Sequence, residues 1–409
     1  MSDSPVTAGM SRAGVDSPHA WRMAVAGFFT CFTLFGVVYS FGAFFKPMAA
    51  EFGADRAHTS AVFSITACIY NVLGFAGGHL ADRYGPRRVL MVGAIAMGLG
   101  LIATSMAGSL AIGCVTYGLG IGVGVACSYV PVLAVVGGWF EKRRTTALGI
   151  AVSGVGCGTL VVAPIAAALI VRYGWRESYV IMGIASTLLM AVCAMVSEAP
   201  PIHMAAAAAP LTLTRTMRSP DFLMLYASMV LVSISIYIPF VYLPEFAHSR
   251  GTSQVAAAAL VGFIGAASVV GRLGLGRVAE RTGIIPLYQT STLILGLSFG
   301  LWMVSHSYAV LVVFTIVMGA AYGGMIALSP AVVAELFGVR GLGALLGALY
   351  TGSAISALTG PPLAGFVIDS TGSYLGGAGL GGAAGILGFL VLIPLGRGRA
   401  MIAAAAEAG

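Results

Sequence analysis

Apolar residues run through this chain in blocks of about 20, separated by short joints that hold its polar residues and many of its prolines. The blocks lie near residues 23–45, 59–80, 89–108, 110–133, 146–170, 178–197, 222–244, 254–276, 285–305, 308–332, 343–367 and 375–396. About 20 apolar residues suffice to cross a hydrocarbon core of ~30 Å. In lipid every backbone N–H and C=O must find its partner within the protein, and unbroken runs of this length achieve that as helices. The pattern therefore predicts an all-α membrane protein with twelve transmembrane helices.

The longest joint, about Glu198–Pro220, contains the run AAAAAP and splits the blocks six and six. This predicts a first six-helix half over 1–197, a cytoplasmic linker over 198–220, a second half over 221–396 and a cytoplasmic tail over 397–409. The halves also repeat each other. Gly78-His79-Leu80-Ala81-Asp82-Arg83-Tyr84-Gly85 leaves the second block, and Gly276-Arg277-Val278-Ala279-Glu280-Arg281-Thr282-Gly283 leaves the eighth, 198 positions later. Pro131 of the fourth block is matched by Pro330 of the tenth, 199 positions later. Two such close offsets in equivalent blocks argue for a duplicated six-helix unit. Carriers built from repeats hold substrate near the midplane, where the repeats meet.

Charge sets the orientation. One set of joints carries fifteen of the 21 Lys and Arg residues, among them Arg83, Arg87, Arg88, Lys142, Arg143, Arg144 and Arg281; the other carries five, Lys46, Arg56, Arg172, Arg176 and Arg250. Basic loops stay on the cytoplasmic side, so both termini are predicted to be cytoplasmic. Only 9% of residues are charged, against about 25% in soluble domains. The net charge of +7 is spread over short loops, which gives no patch for nucleic acid. All six cysteines fall within apolar blocks without metal-ligand spacing, and act as small packing residues. No apolar core with a cleavage site precedes the first block, so no cleavable signal peptide is expected. No HExxH, nucleophile elbow or metal-spaced acid cluster is present, so neither an enzyme nor a bound metal or cofactor is expected.

One charge cannot be moved to a surface: Arg272, in the eighth block. A guanidinium stays protonated at physiological pH, and intramembrane charges usually face a polar cavity. Either it snorkels or pins a neighbouring helix, or it binds a small anion. It lies eight residues before Glu280, about 12 Å deeper at ~1.5 Å per residue, which favours the anion. Candidate companions are the polar and aromatic residues near mid-block: Tyr39, Asn71, Tyr117, Tyr237, Tyr322, Ser353 and Ser356. Tyr117 and Tyr322 stand out because both interrupt glycine-rich stretches. Each of these has a packing alternative, since Ser and Thr in membrane helices often bond to their own helix.

The stretch Gly78–Arg88 resembles the signature loop of the major facilitator superfamily, repeated more weakly at Gly276–Gly283. Gly78, Asp82, Arg83, Gly85, Arg87, Arg88, Glu280 and Arg281 then form a conformational latch, with the charges reaching carboxylates or helix C-termini across the seam between the halves. Trp139-Phe140-Glu141-Lys142-Arg143-Arg144 and the following Thr145–Gly154 are similar to the signature before the fifth span in the monocarboxylate transporter family. Animal members carry Asp-Gly-Gly-Trp-Gly-Trp at the entry to the first span; here Ser17-Pro18-His19-Ala20-Trp21-Arg22 keeps only Trp21, which points to a microbial branch. Val270-Gly271-Arg272-Leu273-Gly274-Leu275-Gly276 is similar to the family's Val-x-Arg-x-x-x-Gly, and implies that Arg272 receives the carboxylate. Ser268 replaces the family aspartate tied to proton coupling, and no carboxylate lies deep in any block.

The resemblance implies a secondary transporter of small monocarboxylates of the lactate and pyruvate type, with a co-transported proton, working by alternating access. It implies a monomeric unit in lipid, in a bacterial inner membrane. A carboxylate exchanger of the oxalate–formate type is the nearest alternative. Such exchangers use a second deep cation in the eleventh span, where this chain has no Lys, Arg or His. A membrane protein that transports nothing and only binds partners is the alternative from another class.

Overall fold

The computed structural model describes residues 15–199, 215–338 and 342–395. These fold into fourteen main helices: α1 (Pro18–Tyr39), α2 (Phe41–Phe52), α3 (Arg56–Tyr84), α4 (Pro86–Ser105), α5 (Leu110–Ala126), α6 (Tyr129–Trp139), α7 (Arg144–Tyr173), α8 (Trp175–Val196), α9 (Pro220–Ser249), α10 (Gln254–Thr282), α11 (Ile284–Met303), α12 (Tyr308–Phe337), α13 (Leu342–Thr371) and α14 (Tyr374–Leu392). Pairs α1–α2 and α5–α6 each make one broken span, with the breaks at Ser40 and at Cys127–Ser128. Eleven spans are long and apolar enough to cross a membrane. The twelfth, α3, joins Arg56–Gly74 and Ala76–Tyr84 at 50°. Twelve spans in two six-helix halves is the predicted architecture.

Serine and aspartate side chains start many of these helices. Ser17, Asp55, Ser109, Ser219, Ser253 and Ser373 each accept a first-turn N–H, satisfying donors the helix itself leaves unpaired. Two glycines end repeat-related helices. Gly85 (φ 85, ψ 144) follows α3 and Gly283 (φ 87, ψ 150) follows α10. A positive φ favours glycine, and its recurrence at the 198-residue offset is the duplication seen in backbone geometry.

The halves meet along α3 with α13, α7 with α10, and α2 with α9. At the α7–α10 crossing a Cβ on Gly156 would strike the carbonyl of Gly265, and one on Gly265 would lie 2.8 Å from the carbonyl of Gly156. Lipid offers no hydrophobic drive between helices, so such close backbone contact is the means of association. Large apolar side chains elsewhere point outward, as Leu99 (61% exposed) and Val171 (67%) do.

The structure moves one boundary with consequences. Helix α9 continues through Pro239 and Pro244 to Ser249, beyond the predicted end at 244. Proline costs one hydrogen bond, but neighbouring helices in a membrane bundle tolerate this. Glu245 thereby lies within the span, near its end as Asp369 is in α13, with a side chain 10% exposed.

Candidate anion-binding site

Arg272 sits well inside α10. Val270 and Leu273 beside it are 69% and 60% exposed on the outer face, while the arginine turns toward the seam. Its Nη1 donates to the carbonyl of Val152 in α7 at 3.4 Å. Its guanidinium carbon stands 5.9 Å from the ring centre of Tyr322 in α12, within cation–π range. Nε is buried and has no hydrogen-bond partner. Its charge is also felt at Cys31 of α1, Tyr129 of α6 and Tyr350 of α13. A guanidinium has five N–H donors, and one long bond to a backbone carbonyl leaves most of them available. No carboxylate pairs with Arg272 among the described residues. The guanidinium thus lies at the seam of the halves against the Val152 carbonyl of the first and the Tyr322 ring of the second.

Several predicted companions converge here. The Tyr322 ring meets Phe240 of α9 edge-on at 6.3 Å, and Phe240 stacks on Tyr39 of α1 at 4.0 Å. A second string crosses the halves beside it. Asn71 Nδ2 donates to the carbonyl of Ala67 (2.8 Å) and to the Tyr237 phenol (3.2 Å), which shares a hydrogen bond with Ser353 Oγ at 3.0 Å. Tyr322 is within electrostatic reach of Tyr39 and Tyr237, so the two strings adjoin.

Tyr117 is not brought to Arg272. Its ring lies inside the first half, 5.6 Å from Phe41 and 5.7 Å from Tyr179. Its glycine-rich surroundings serve helix packing. Ser356 hydrogen-bonds the carbonyls of Val230 (2.5 Å) and Gly352 (3.0 Å), and so ties α13 to α9. Ser268 donates to the carbonyl of Gly265 on its own helix at 2.7 Å. Two half-buried tyrosines not among the predicted companions, Tyr129 and Tyr350, lie within electrostatic reach of Arg272. Tyr129 follows the α5–α6 break, which a continuous block over 110–133 concealed; Pro131 was its only signal.

The latch residues lie at the end marked by Gly85 and Gly283. Gly78 is half-buried, and Asp82, Arg83, Arg87, Arg88 and Arg281 are exposed. None of the charged ones forms an ion pair among the described residues, Arg83 lying over the ring of its neighbour Tyr84. The side chain of Glu280 lies outside the described residues. At the opposite end Arg56 of α3 joins the halves, pairing with Asp369 of α13 at 2.7 Å and with Glu245 of α9 at 3.4 Å.

Twelve spans in two repeated halves, with a polar centre between them, define a membrane transporter rather than an enzyme. The profile of the Major Facilitator Superfamily matches residues 26–290 and 275–408, and the chain belongs to that superfamily. Among curated relatives it is similar to Monocarboxylate transporter 13 of Rattus norvegicus, 29% identical over 383 residues covering 93% of this chain and 90% of that protein. Monocarboxylate transporter 12 of Xenopus laevis is 27% identical over 389 residues, 88% of this chain and 85% of that protein. Among solved structures, a peptide transporter POT bound to sulfate superimposes with a TM-score of 0.76 at 16% identity, over 95% of this chain and 98% of that one. A bacterial homologue of the human lysosomal transporter Spinster, inward-facing and unoccupied, gives 0.68 at 15% identity, over 92% and 95%. These structural likenesses establish the fold.

Proposed function

We propose that this protein carries small monocarboxylates of the lactate and pyruvate type, with a co-transported proton, by alternating access, and that Arg272 binds the carboxylate. The observation that carries this reading is the under-occupied guanidinium, with one long backbone bond and a buried Nε. A planar guanidinium matches a carboxylate with two parallel hydrogen bonds, which strengthen away from water. Tyr322 and Tyr39 are placed to cover an alkyl group and offer phenols to a hydroxyl or keto oxygen. With one cation in the pocket, one carboxylate balances the charge. The names of the relatives agree with this substrate class. Asn71, Tyr237 and Ser353 belong to the proposed pocket as the string that joins the halves, and Tyr117 and Ser356 support it through packing.

The chain is proposed to act as a monomer in a bacterial inner membrane, with both termini cytoplasmic and residues 198–220 linking the halves there. On that orientation the Arg56 end faces outward and is closed. The latch of Asp82 and its arginines is then a contact of the outward-open state.

The test is uptake of radiolabelled L-lactate into proteoliposomes, with and without an inward proton gradient, for the parent and Arg272→Ala. Gradient-driven accumulation lost in a folded variant is the expected result. Uptake that ignores the gradient and rises with preloaded acid makes the protein an exchanger. Uptake unchanged in the variant removes Arg272 from the site.

A further inference from the structure

The closed end holds a polar group that the anion site does not use. The Glu245 side chain is 10% exposed, and its Oε1 is 3.4 Å from Nη2 of Arg56. Its Oε2 is buried without a hydrogen-bond partner. Arg56 is better engaged elsewhere: Nη1 donates to Asp369 Oδ1 at 2.7 Å, the backbone N–H to Asp369 Oδ2 at 3.1 Å, and Nη2 to the Tyr374 phenol at 3.1 Å. One guanidinium of the first half is thus shared by two acids of the second, and Glu245, whose other neighbour is the Tyr374 phenol, is the less satisfied of them. A cavity of about 320 Å³ between α2, α9 and the start of α10, lined by Lys46, Glu245, His248 and Gln254 among apolar residues, reaches it. That is room for water.

The charged and titratable groups facing Glu245 are Arg56 of α3, Lys46 of α2, Asp369 of α13 and Tyr374 of α14. Tyr242 and His248 are its neighbours on α9. Lys46 is exposed, and His248 Nδ1 is held to the carbonyl of Thr252 at 2.9 Å.

We propose that Glu245 is a proton-binding site that controls this gate. A hydronium ion in the cavity gives its proton to the Glu245 carboxylate and leaves as water, an O–H bond forms on the carboxyl group, its charge is cancelled, and no bond between heavy atoms breaks. Of the two acids that share Arg56 only Asp369 then still pairs with it, and the gate shifts toward open. Linkage requires the converse: the open gate binds the proton more tightly than the closed one. The proposal rests on the chain being an alternating-access carrier, not on its substrate.

The gate can be followed without substrate by electron–electron distance measurements on spin labels in nanodiscs. Met106→Cys and Val304→Cys place the labels at exposed positions (79% and 61%) at this end of the two halves, with the six native cysteines replaced by alanine. In the parent, lowering the pH from about 8 to about 4, across the carboxylate range, lengthens the distance. Glu245→Gln raises the open-to-closed ratio at neutral pH by about tenfold, the size of one close charge pair, and removes the pH response. Asp369→Asn opens the gate but keeps the response, as does His248→Ala without opening it. Arg56→Gln gives an open, pH-independent gate and serves as the second probe should Glu245→Gln not purify as a single species. A parental distance that does not move with pH, or a full response in Glu245→Gln, overturns the proposal. Uptake and gating are read separately, so failure of one assay does not count against the other.

Discussion

Tyr39 of the first half stacks on Phe240 of the second, their rings 4.0 Å apart and inclined by 15°. Both are buried, and they join the two halves. Phe240→Ala removes this stack and opens a void against Tyr322. A buried Phe→Ala change costs about 3–5 kcal/mol, so a lower melting temperature in detergent is expected, while Phe240→Tyr stays close to the parent.

Arg272 separates charge from shape. Arg272→Lys keeps the positive charge but loses the planar fork, and Arg272→Ala loses both. Removing a partner from a desolvated charge pair costs about 2–5 kcal/mol, so the alanine variant is expected to lose saturable uptake. The lysine variant is expected to keep uptake with a raised KM. Melting temperatures should hardly change, because the arginine makes one long bond to the protein; a large drop would mark it as structural.

The crossing at Gly265 leaves no room for a side chain. Gly265→Val meets the carbonyl of Gly156 at 2.8 Å, and overpacking costs about 1–3 kcal/mol. Melting temperature and uptake should fall together in this variant. Gly300→Ala, with nothing within 4 Å of the added carbon, is the control.

Asp16 predicts a pH effect at the basic end. Its carboxylate accepts the backbone N–H groups of Lys142 (3.0 Å), Arg143 (3.2 Å) and Glu141 (3.3 Å), tying the entry of α1 to the start of α7. The Lys142 bond is the largest cause holding the Asp16 carboxyl below its ordinary value of 3.8. A depressed folded-state value gives stability that is present above the unfolded value and lost as pH falls through the folded one. The parent should lose melting temperature below pH ~4, and Asp16→Asn should lose less over the same interval. Equal slopes in melting curves taken across that interval would remove Asp16 from this role.

Where the sequence carried a periodic signal, reading it was enough. Block length gave the spans, and the 198-residue offset of Gly85 and Gly283 gave the repeat, because both follow from local backbone chemistry. Arg272 was legible because a charge amid apolar residues admits few explanations. What stayed hidden depended on neighbours in space. Pro244 read as the end of a block and so placed Glu245 outside it; helix α9 runs on because packed helices compensate the lost hydrogen bond. Tyr117 and Tyr322 share the same glycine-rich setting in sequence, yet only Tyr322 meets Arg272. Asp16 was passed over because the segment compared with the family began at Ser17. Counted back from Trp21, it stands where that pattern has its aspartate.

The break at Ser40 has a mechanical consequence. Ser40 Oγ caps the carbonyl of Val37 at 2.8 Å, and beyond it α2 presses Gly42 onto the carbonyl of Phe240, 2.6 Å from where a Cβ would stand, and Phe45 onto Tyr242. The first span is thus a jointed lever whose short arm of 12 residues packs on α9. A short arm sweeps little lipid and parts few contacts when it swings. In the proposed alternating-access cycle, this arm closes the Arg56 end ahead of the larger rotation of the two halves, so that the two sides of the membrane are not joined through the centre.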